Sequence, residues 1–293
     1  MPIADVSPGV SIAYDDFGDP GDPAVLLVMG FGAQMIAWHE DFCRELAGRG
    51  RHVIRYDNRD SGLSTKFDGH PVDIGRFLAA VSSGDIPGAL AMVPYGLADM
   101  AEDGLGLLTA LGIERAHVVG ASMGGMIAQT MAISRPERVL TLTSMMSSTG
   151  ESEYGRATPE AQAVLLSPKP RDREGYIAAA ERDLVWASRR YGDPALVREL
   201  AADSYDRAYY PAGVGRQLGA IILGGSRAEA LRGLRVPTLV IHGLDDTLID
   251  VSGGRRTADL VPDAELLLIP DMGHDRPREL WPEIIDAVAA HTG

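Results

Sequence analysis

The sequence predicts an α/β fold built on a mostly parallel sheet. Short apolar segments, typical of strands buried on both faces, alternate along the chain with segments of helical periodicity. This alternation is typical of βαβ units, in which a helix connects two parallel strands. The chain has 293 residues, of which 45% are hydrophobic and 23% are charged, as in an ordinary globular protein with a substantial core.

The predicted elements follow one another in a regular order. An alternating segment, Val10–Tyr14, predicts an antiparallel edge strand near the start of the chain. Six apolar segments flanked by turn-forming residues predict buried strands: Ala24–Met29, Arg51–Tyr56, Ala116–Val119, Arg138–Thr143, Pro237–His242 and Glu265–Ile269. Helical periodicity predicts three helices, at Gly96–Leu111, Gly124–Ser134 and Trp281–His291.

The alternation is interrupted in the second half of the chain. This region lacks strand patterns, and two of its segments, Thr158–Glu160 and Asp193–Pro194, place a capping side chain before proline, as at a helix start. We therefore predict a helical cap of residues 147–230, inserted in a core domain of residues 1–146 and 231–293. The cap is slightly enriched in aromatic residues, which favours a bulky or aromatic ligand: Tyr154, Tyr176, Trp186, Tyr191, Tyr205, Tyr209 and Tyr210.

Composition excludes several classes of protein. The net charge of −14 argues against nucleic acid and anionic membranes, because both attract clustered Lys and Arg. The longest apolar segment, Ala24–Trp38, is shorter than the roughly 20 residues of a membrane helix, and the N-terminal segment lacks a secretory signal pattern. A single cysteine, Cys43, excludes an internal disulfide and a cysteine-based metal cluster. We therefore expect a cytoplasmic protein without nucleic-acid, membrane or metal partners, and we leave a homo-oligomer open.

The segment Gly120–Gly125 lies between a predicted strand and a predicted helix and contains a serine. The motif G-x-S-x-G requires this context, because its sharp turn lifts the nucleophile, here Ser122, above the carboxyl edge of the sheet. Gly120 and Gly124 suit the close backbone packing of such a turn. The backbone N–H of Met123 would then donate to an oxyanion from the positive end of a helix.

A serine nucleophile needs a base and an acid. His274 follows the last predicted strand, so it lies at the same edge of the parallel sheet as Ser122. Asp246 follows the strand before it and is the predicted acid; Asp245 is the second candidate and Asp250 a weaker one. The chain order Ser, Asp, His is that of the α/β hydrolases.

The second oxyanion donor should come from the loop after an early strand. The segment Val28–Gly32 fits, because Gly30 allows a tight turn and the N–H of Phe31 follows it. Gly104 and Gly106 lie within a helical pattern rather than after a strand, so they do not predict a dinucleotide site. We expect no cofactor.

Four segments together resemble the α/β-hydrolase superfamily over nearly the whole chain. Tyr56–Ser64 is similar to the superfamily's D-x-R-G-x-G-x-S loop, with Asp60 where glycine is common. The others are Ala116–Gly125, Val236–Gly243 and Ile269–His274. Within the superfamily, these segments are similar to those of serine esterases of the aclacinomycin methylesterase type.

This resemblance implies an α/β-hydrolase fold: an eight-stranded, mostly parallel sheet flanked by helices, with a helical cap. It also implies a triad of Ser122, Asp246 and His274, with Phe31 and Met123 forming the oxyanion hole. Relative to those esterases, Val72–Val93 is an apolar insertion that we expect to border the binding pocket.

The expected activity is cleavage of a small or medium carboxylic ester, including an aromatic or polyketide ester, through an acyl-enzyme. Ser122 argues against epoxide hydrolases and haloalkane dehalogenases, which share the fold but use aspartate as nucleophile. The same triad also serves cofactor-free haloperoxidases, perhydrolases and carbon–carbon bond hydrolases, so these alternatives stay open. A non-catalytic ligand receptor on the same scaffold is the alternative from another class.

Overall fold

The computed structural model describes residues 1–293, and it has the α/β architecture that the sequence predicts. The eight strands are β1 (Ile3–Ser7), β2 (Val10–Phe17), β3 (Ala24–Val28), β4 (His52–Tyr56), β5 (Ala116–Ala121), β6 (Val139–Met145), β7 (Thr238–Gly243) and β8 (Glu265–Ile269). The α-helices before the predicted cap are α1 (Glu40–Ala47), α2 (Ile74–Ser83), α3 (Ile86–Leu90), α4 (Leu97–Ala110) and α5 (Met123–Ser134). The remaining ones are α6 (Pro159–Leu165), α7 (Arg173–Ala180), α8 (Pro194–Ala208), α9 (Ala212–Leu223), α10 (Ala228–Arg232), α11 (Ser252–Leu260) and α12 (Trp281–His291).

All eight strands form one sheet in the order β1-β2-β4-β3-β5-β6-β7-β8. The pairs β1–β2 and β2–β4 are antiparallel, and every other pair is parallel. The carboxyl ends of β3, β5, β7 and β8 therefore meet at one edge of the sheet. All the predicted site residues lie in the four segments that directly follow these strands.

Alternate residues of the strands supply two separate cores. Leu26 lies in the core on one face of the sheet and Leu27 in the core on the other, as the two-residue period of a strand requires. Residues of α4 and α5 complete the first core, and residues of α1 and α12 complete the second. Burial on both faces explains why these strands read as continuous apolar segments in the sequence.

The residues predicted to form the cap, 147–230, contain α6 to α9 and the start of α10, and no strand. The two predicted helix starts are found: the Thr158 hydroxyl accepts a hydrogen bond from Ala161 N–H, and the Asp193 carboxylate accepts one from Ala195 N–H. The division of the chain into core and cap stays a prediction, and we use the word cap for these residues. No helix of the molecule is both long and apolar enough to cross a membrane.

The insertion Val72–Val93 forms α2 and α3 and packs beside the cap. Phe77 is fully buried, whereas Leu90 is 55% exposed. On the neighbouring helix α9, a Cβ atom at Gly219 would crowd the side chain of Val93. The insertion thus contacts a cap helix, and the expectation that it borders the binding pocket stays a prediction.

Candidate active site

Ser122 occupies a strained turn between β5 and α5. Its backbone angles are φ 59° and ψ −122°, a region that a non-glycine residue adopts only where its surroundings impose it. The surroundings hold the turn on both sides: Ser122 N–H donates to Met145 O over 2.9 Å, and the Ser147 hydroxyl donates to Ser122 O over 2.8 Å. The turn presents the Ser122 side chain at the carboxyl edge of the sheet.

Two glycines make this turn sterically feasible. A Cβ atom at Gly120 would overlap the carbonyl group of Gly124, and a Cβ atom at Gly124 would overlap the carbonyl group of Val28. The glycine positions of the motif are therefore explained by backbone packing between β3, β5 and α5.

His274 and Asp246 form a hydrogen-bonded pair at the same edge of the sheet. His274 Nδ1 lies 2.7 Å from Asp246 Oδ2. Asp246 Oδ1 accepts two further hydrogen bonds, from the N–H groups of Leu248 at 2.9 Å and Ile249 at 2.8 Å. The Asp246 side chain is fully buried, and that of His274 is 9% exposed. The carboxylate is thereby fixed in position and directed at the imidazole.

Opposing effects act on the pKa of Asp246. Burial raises it, but the charge of His274 and the hydrogen bonds from His242 and His274 outweigh burial and lower the pKa to about 2. The ionised carboxylate accepts the Nδ1 proton of His274, because an acceptor must face a donor. His274 Nε2 is then free to accept a proton from a nucleophile.

The two alternative acids lie elsewhere. Asp245 accepts a hydrogen bond from Arg189 N–H at 3.1 Å and pairs with the Arg189 guanidinium at 3.4 Å. Asp250 accepts a hydrogen bond from Ser252 N–H at the start of α11. Of the three candidate acids, only Asp246 contacts His274.

The predicted oxyanion donors flank Ser122. Gly30 packs against it, since a Cβ atom at Gly30 would lie 3.1 Å from Ser122 Cβ. The N–H of the next residue, Phe31, makes no hydrogen bond within the protein. Met123 is the first residue of α5, so its N–H has no partner within that helix. Both N–H groups therefore belong to the backbone on either side of the nucleophile. The structure joins Asp246 to His274, but no hydrogen bond joins the Ser122 hydroxyl to His274.

The sequence matches the model of the family described as alpha/beta hydrolase fold over residues 23–275. The chain belongs to this family. The match includes all five predicted site residues, and the eight-stranded sheet agrees with the fold that the resemblance implies.

Known relatives of this α/β hydrolase include two curated methylesterases, in agreement with the predicted resemblance. The chain is 28% identical to rhodomycin D methylesterase DauP of Streptomyces sp. strain C5, over 97% of this chain and 95% of the relative. It is 26% identical to rhodomycin D methylesterase DnrP of Streptomyces peucetius, with the same coverage. Among solved structures, a hydrolase from Pseudomonas aeruginosa superposes with a TM-score of 0.74 at 26% identity, covering 100% of this chain and 98% of that one.

The cap of this α/β hydrolase contacts the loops of both His274 and Asp246, which the sequence did not predict. His274 N–H donates to Trp186 O at 2.6 Å, and Asp275 Oδ1 accepts a hydrogen bond from Ser188 N–H at 2.9 Å. The Thr247 hydroxyl donates to Val185 O at 2.8 Å. We call residues 185–189 the clasp, because this segment bonds to the acid loop and the histidine loop at once.

A second histidine, His242, supports the acid loop. It is fully buried at the end of β7, with Nε2 2.7 Å from Ile249 O and 3.5 Å from Asp246 Oδ2. In the sequence it lies at the end of a predicted strand, and no role in the site was predicted for it. The spacing His-Gly-x-x-Asp, which sets His242 four residues before Asp246, is the signal that could have connected the two.

Part of the aromatic enrichment of the cap serves internal packing. Tyr205 stacks on Tyr209 with ring centroids 4.5 Å apart, and Tyr176 packs against both at 5.6 and 5.5 Å. These three rings bridge α7 and the C-terminal end of α8. They therefore do not support the expected preference for an aromatic ligand.

Proposed function

We propose that the protein is a carboxylic ester hydrolase that uses Ser122, His274 and Asp246 as a catalytic triad. The observation that carries the proposal is the Asp246–His274 hydrogen bond, set at the same edge of the sheet as the strained Ser122 turn. Similarity to two methylesterases over 97% of the chain supports the same class of reaction.

In the proposed first step, the Ser122 hydroxyl attacks the carbonyl carbon of the ester. His274 Nε2 takes the hydroxyl proton as the new C–O bond forms, and the Asp246 carboxylate stabilises the resulting imidazolium. The hydrogen bond between Ser122 and His274 forms with substrate bound, since such contacts are often long in unliganded sites.

The developing negative charge falls on the former carbonyl oxygen. The N–H groups of Phe31 and Met123 donate to it, and one such donor contributes about 3 kcal/mol to stabilisation of the transition state. The intermediate then expels the alcohol, which receives its proton from His274. A water molecule attacks the acyl-enzyme with His274 as base, and it releases the carboxylic acid and restores the Ser122 hydroxyl.

We propose a methyl ester of a small or medium carboxylic acid, including an aromatic or polyketide acid, as the first substrate class to examine. The activity printed in the names of the two curated relatives supports this choice.

The test is turnover of a p-nitrophenyl ester series, from acetate to laurate, and of methyl esters followed by methanol release. Ser122→Ala is the test variant, and Ser134→Ala, at the exposed C-terminal end of α5, is its matched control. We expect turnover in the wild type and the control, and a loss of at least 1,000-fold in Ser122→Ala with an unchanged circular dichroism spectrum.

Other outcomes would redirect the assignment. Wild-type turnover that survives in Ser122→Ala overturns the nucleophile. No turnover of any ester contradicts the ester hydrolase. Cleavage of a vinylogous diketone would then indicate a carbon–carbon bond hydrolase. Formation of a peracid with hydrogen peroxide would indicate a perhydrolase, and ligand binding without turnover would indicate a receptor.

A further inference from the structure

A buried glutamine of the cap contacts the loop that carries the proposed oxyanion donor. Gln217 lies on α9 and is 1% exposed. Its Oε1 accepts a hydrogen bond from Gly32 N–H at 2.9 Å, and its Nε2 donates to Arg59 O at 2.9 Å. Since one end of the amide faces a donor and the other an acceptor, the orientation of the side chain is fixed.

The contact falls at the residue that follows Phe31. The turn at the end of β3 has only one hydrogen bond of its own, from Ala33 N–H to Gly30 O, and at 3.4 Å it is long. The bond from Gly32 to Gln217 is shorter, and Gly32 has φ 65°. Gln217 therefore holds the peptide group directly after Phe31, while the Phe31 N–H stays unbonded and Gly30, on its other side, packs against Ser122.

The helix that carries Gln217 is firmly anchored to the core. Arg216 makes two hydrogen bonds to Asp60, from Nε to Oδ2 at 2.7 Å and from Nη2 to Oδ1 at 2.9 Å. Both side chains are buried. A Cβ atom at Gly213 would overlap the backbone of Asp60, so α9 lies in direct backbone contact with this loop. Gln217 is consequently presented from a fixed support rather than from a mobile lid.

We propose that Gln217 is a positioning residue for the oxyanion hole: it fixes the Gly30–Gly32 turn so that Phe31 N–H faces the developing oxyanion. This inference rests on the proposed function. In this proposal a residue of the cap helix α9 determines the conformation of the core loop after β3, so the cap contributes to the oxyanion hole.

The role predicts a specific kinetic pattern. The oxyanion forms only in the transition state, so loss of its alignment lowers kcat and leaves substrate binding almost unchanged. A displacement of about 1 Å at such a donor costs up to about 100-fold in rate. A residue that only stabilised the fold would lower stability without this pattern.

The test variant is Gln217→Met, which keeps the shape of the side chain and removes both hydrogen bonds. The matched control is Tyr210→Phe. Its hydroxyl bonds to Asp68 and Arg216 beside the same helix, away from the oxyanion loop. We would measure kcat, KM and thermal unfolding, together with the affinity of a trifluoromethyl ketone. The Ser122 hydroxyl adds to the carbonyl carbon of such a ketone, and the carbonyl oxygen becomes an oxyanion in the oxyanion hole.

For Gln217→Met we expect kcat to fall about 10- to 100-fold, KM to stay within about twofold, and the ketone to bind weaker by the same factor as kcat. Tyr210→Phe should leave all three values near those of the wild type. Equal kcat and equal ketone affinity in Gln217→Met and the wild type would overturn the role of Gln217. Absence of ester turnover in the wild type would instead overturn the proposed function.

A measurement on the wild type covers the case in which Gln217→Met does not fold. Amide hydrogen exchange should be slow at Gly32 and fast at Phe31, and the ketone should slow exchange at Phe31. Fast exchange at Gly32 in the free protein would show that Gln217 does not hold the turn, and would overturn the inference.

Discussion

The two sides of the active site are built differently. On the serine side, core elements mainly position Ser122, through glycine packing between β3, β5 and α5, and Ser147 at the start of the cap adds one hydrogen bond to Ser122 O. On the histidine side, His274 depends on the clasp, because its N–H bonds to Trp186 O and a Cβ atom at Gly273 would overlap the clasp backbone. The nucleophile is therefore positioned mainly by the core fold, whereas the base is positioned jointly by core and cap.

Because of this difference, we expect substitutions on the serine side to lower stability and substitutions on the histidine side to lower mainly activity. A disturbance on the serine side falls within the sheet and its first layer of helices, so it weakens the whole fold. A disturbance on the histidine side falls between a loop and the clasp, outside both core clusters, so we expect the core to stay folded. Changes of similar chemistry should thus have different consequences on the two sides.

The largest effect is expected where the histidine side meets its acid. Asp246→Asn keeps an Oδ1 acceptor for Leu248 and Ile249 but turns an amide towards His274 Nδ1, which favours the wrong tautomer of the imidazole. We expect kcat to fall about 10,000-fold with little change in KM. Steady-state kinetics on the best ester measures this. Asp245→Asn is the control and should stay within about threefold, because the Asp245 side chain bonds only to Arg189 of the clasp. A larger loss in Asp245→Asn than in Asp246→Asn would move the acid to Asp245.

Replacing one glycine on each side of the site should affect activity in one case and stability in the other. Gly273→Ala should lower kcat about 100-fold, since the clasp must shift and His274 shifts with it, with a small change in thermal unfolding. Gly124→Ala places a methyl group against the Val28 carbonyl within the core and should destabilise the fold by about 3 kcal/mol or more. Chemical unfolding and kinetics on both variants check the contrast. A fold weakened more by Gly273→Ala than by Gly124→Ala would contradict it.

Acid titration sharpens the histidine side further. The pKa of Asp246 is lowered in the fold from an ordinary value near 3.8 to about 2. Its ionised form therefore adds stability that is present above about pH 4 and is lost as the pH falls towards 2, amounting to about 2 kcal/mol. Urea unfolding at pH 5 and at pH 2.5 should show the stability gap between wild type and Asp246→Asn shrinking in acid. A gap that stays constant would mean that Asp246 titrates normally.

The smallest effect concerns the strain on the serine side. Ser122→Gly removes the hydroxyl and also relieves the positive φ, so the variant should be inactive yet more stable than Ser122→Ala by about 1 kcal/mol. Chemical unfolding of the two inactive variants measures the difference. Lower stability of Ser122→Gly would show that the surroundings do not strain the turn.

The sequence could predict those parts of the molecule that have a local signal. The buried strands, the helix starts at Thr158 and Asp193 and the position of Ser122 follow from runs of neighbouring residues. The prediction of Val10–Tyr14 as the edge strand was wrong, since β2 pairs with both β1 and β4 and β1 forms the edge. The strand β1 was missed because Ile3–Ser7 carries no continuous apolar segment, and its residues alternate between exposed and half-buried. The eight-stranded count came from the resemblance and not from the pattern.

Contacts between distant segments could not be predicted in the same way. Gln217 and Gly32 are 185 residues apart, and the clasp meets the histidine loop 87 residues further along the chain. No periodicity relates such positions, because only the packing of the cap on the core brings them together. Asp60 could be predicted only in part: the sequence shows aspartate where the family's loop commonly has glycine, but it does not show that Arg216 is the partner of this aspartate.

That buried pair constrains how this protein can diverge. Asp60 keeps a glycine-like φ of 65° and directs its carboxylate at the Arg216 guanidinium. Loss of either partner alone leaves a buried charge unpaired, at a cost of about 3–5 kcal/mol. A chimera whose transplanted cap has no arginine at position 216 would leave Asp60 of this core buried without its ionic partner and would fold poorly. A cap transplanted onto this core therefore needs that arginine.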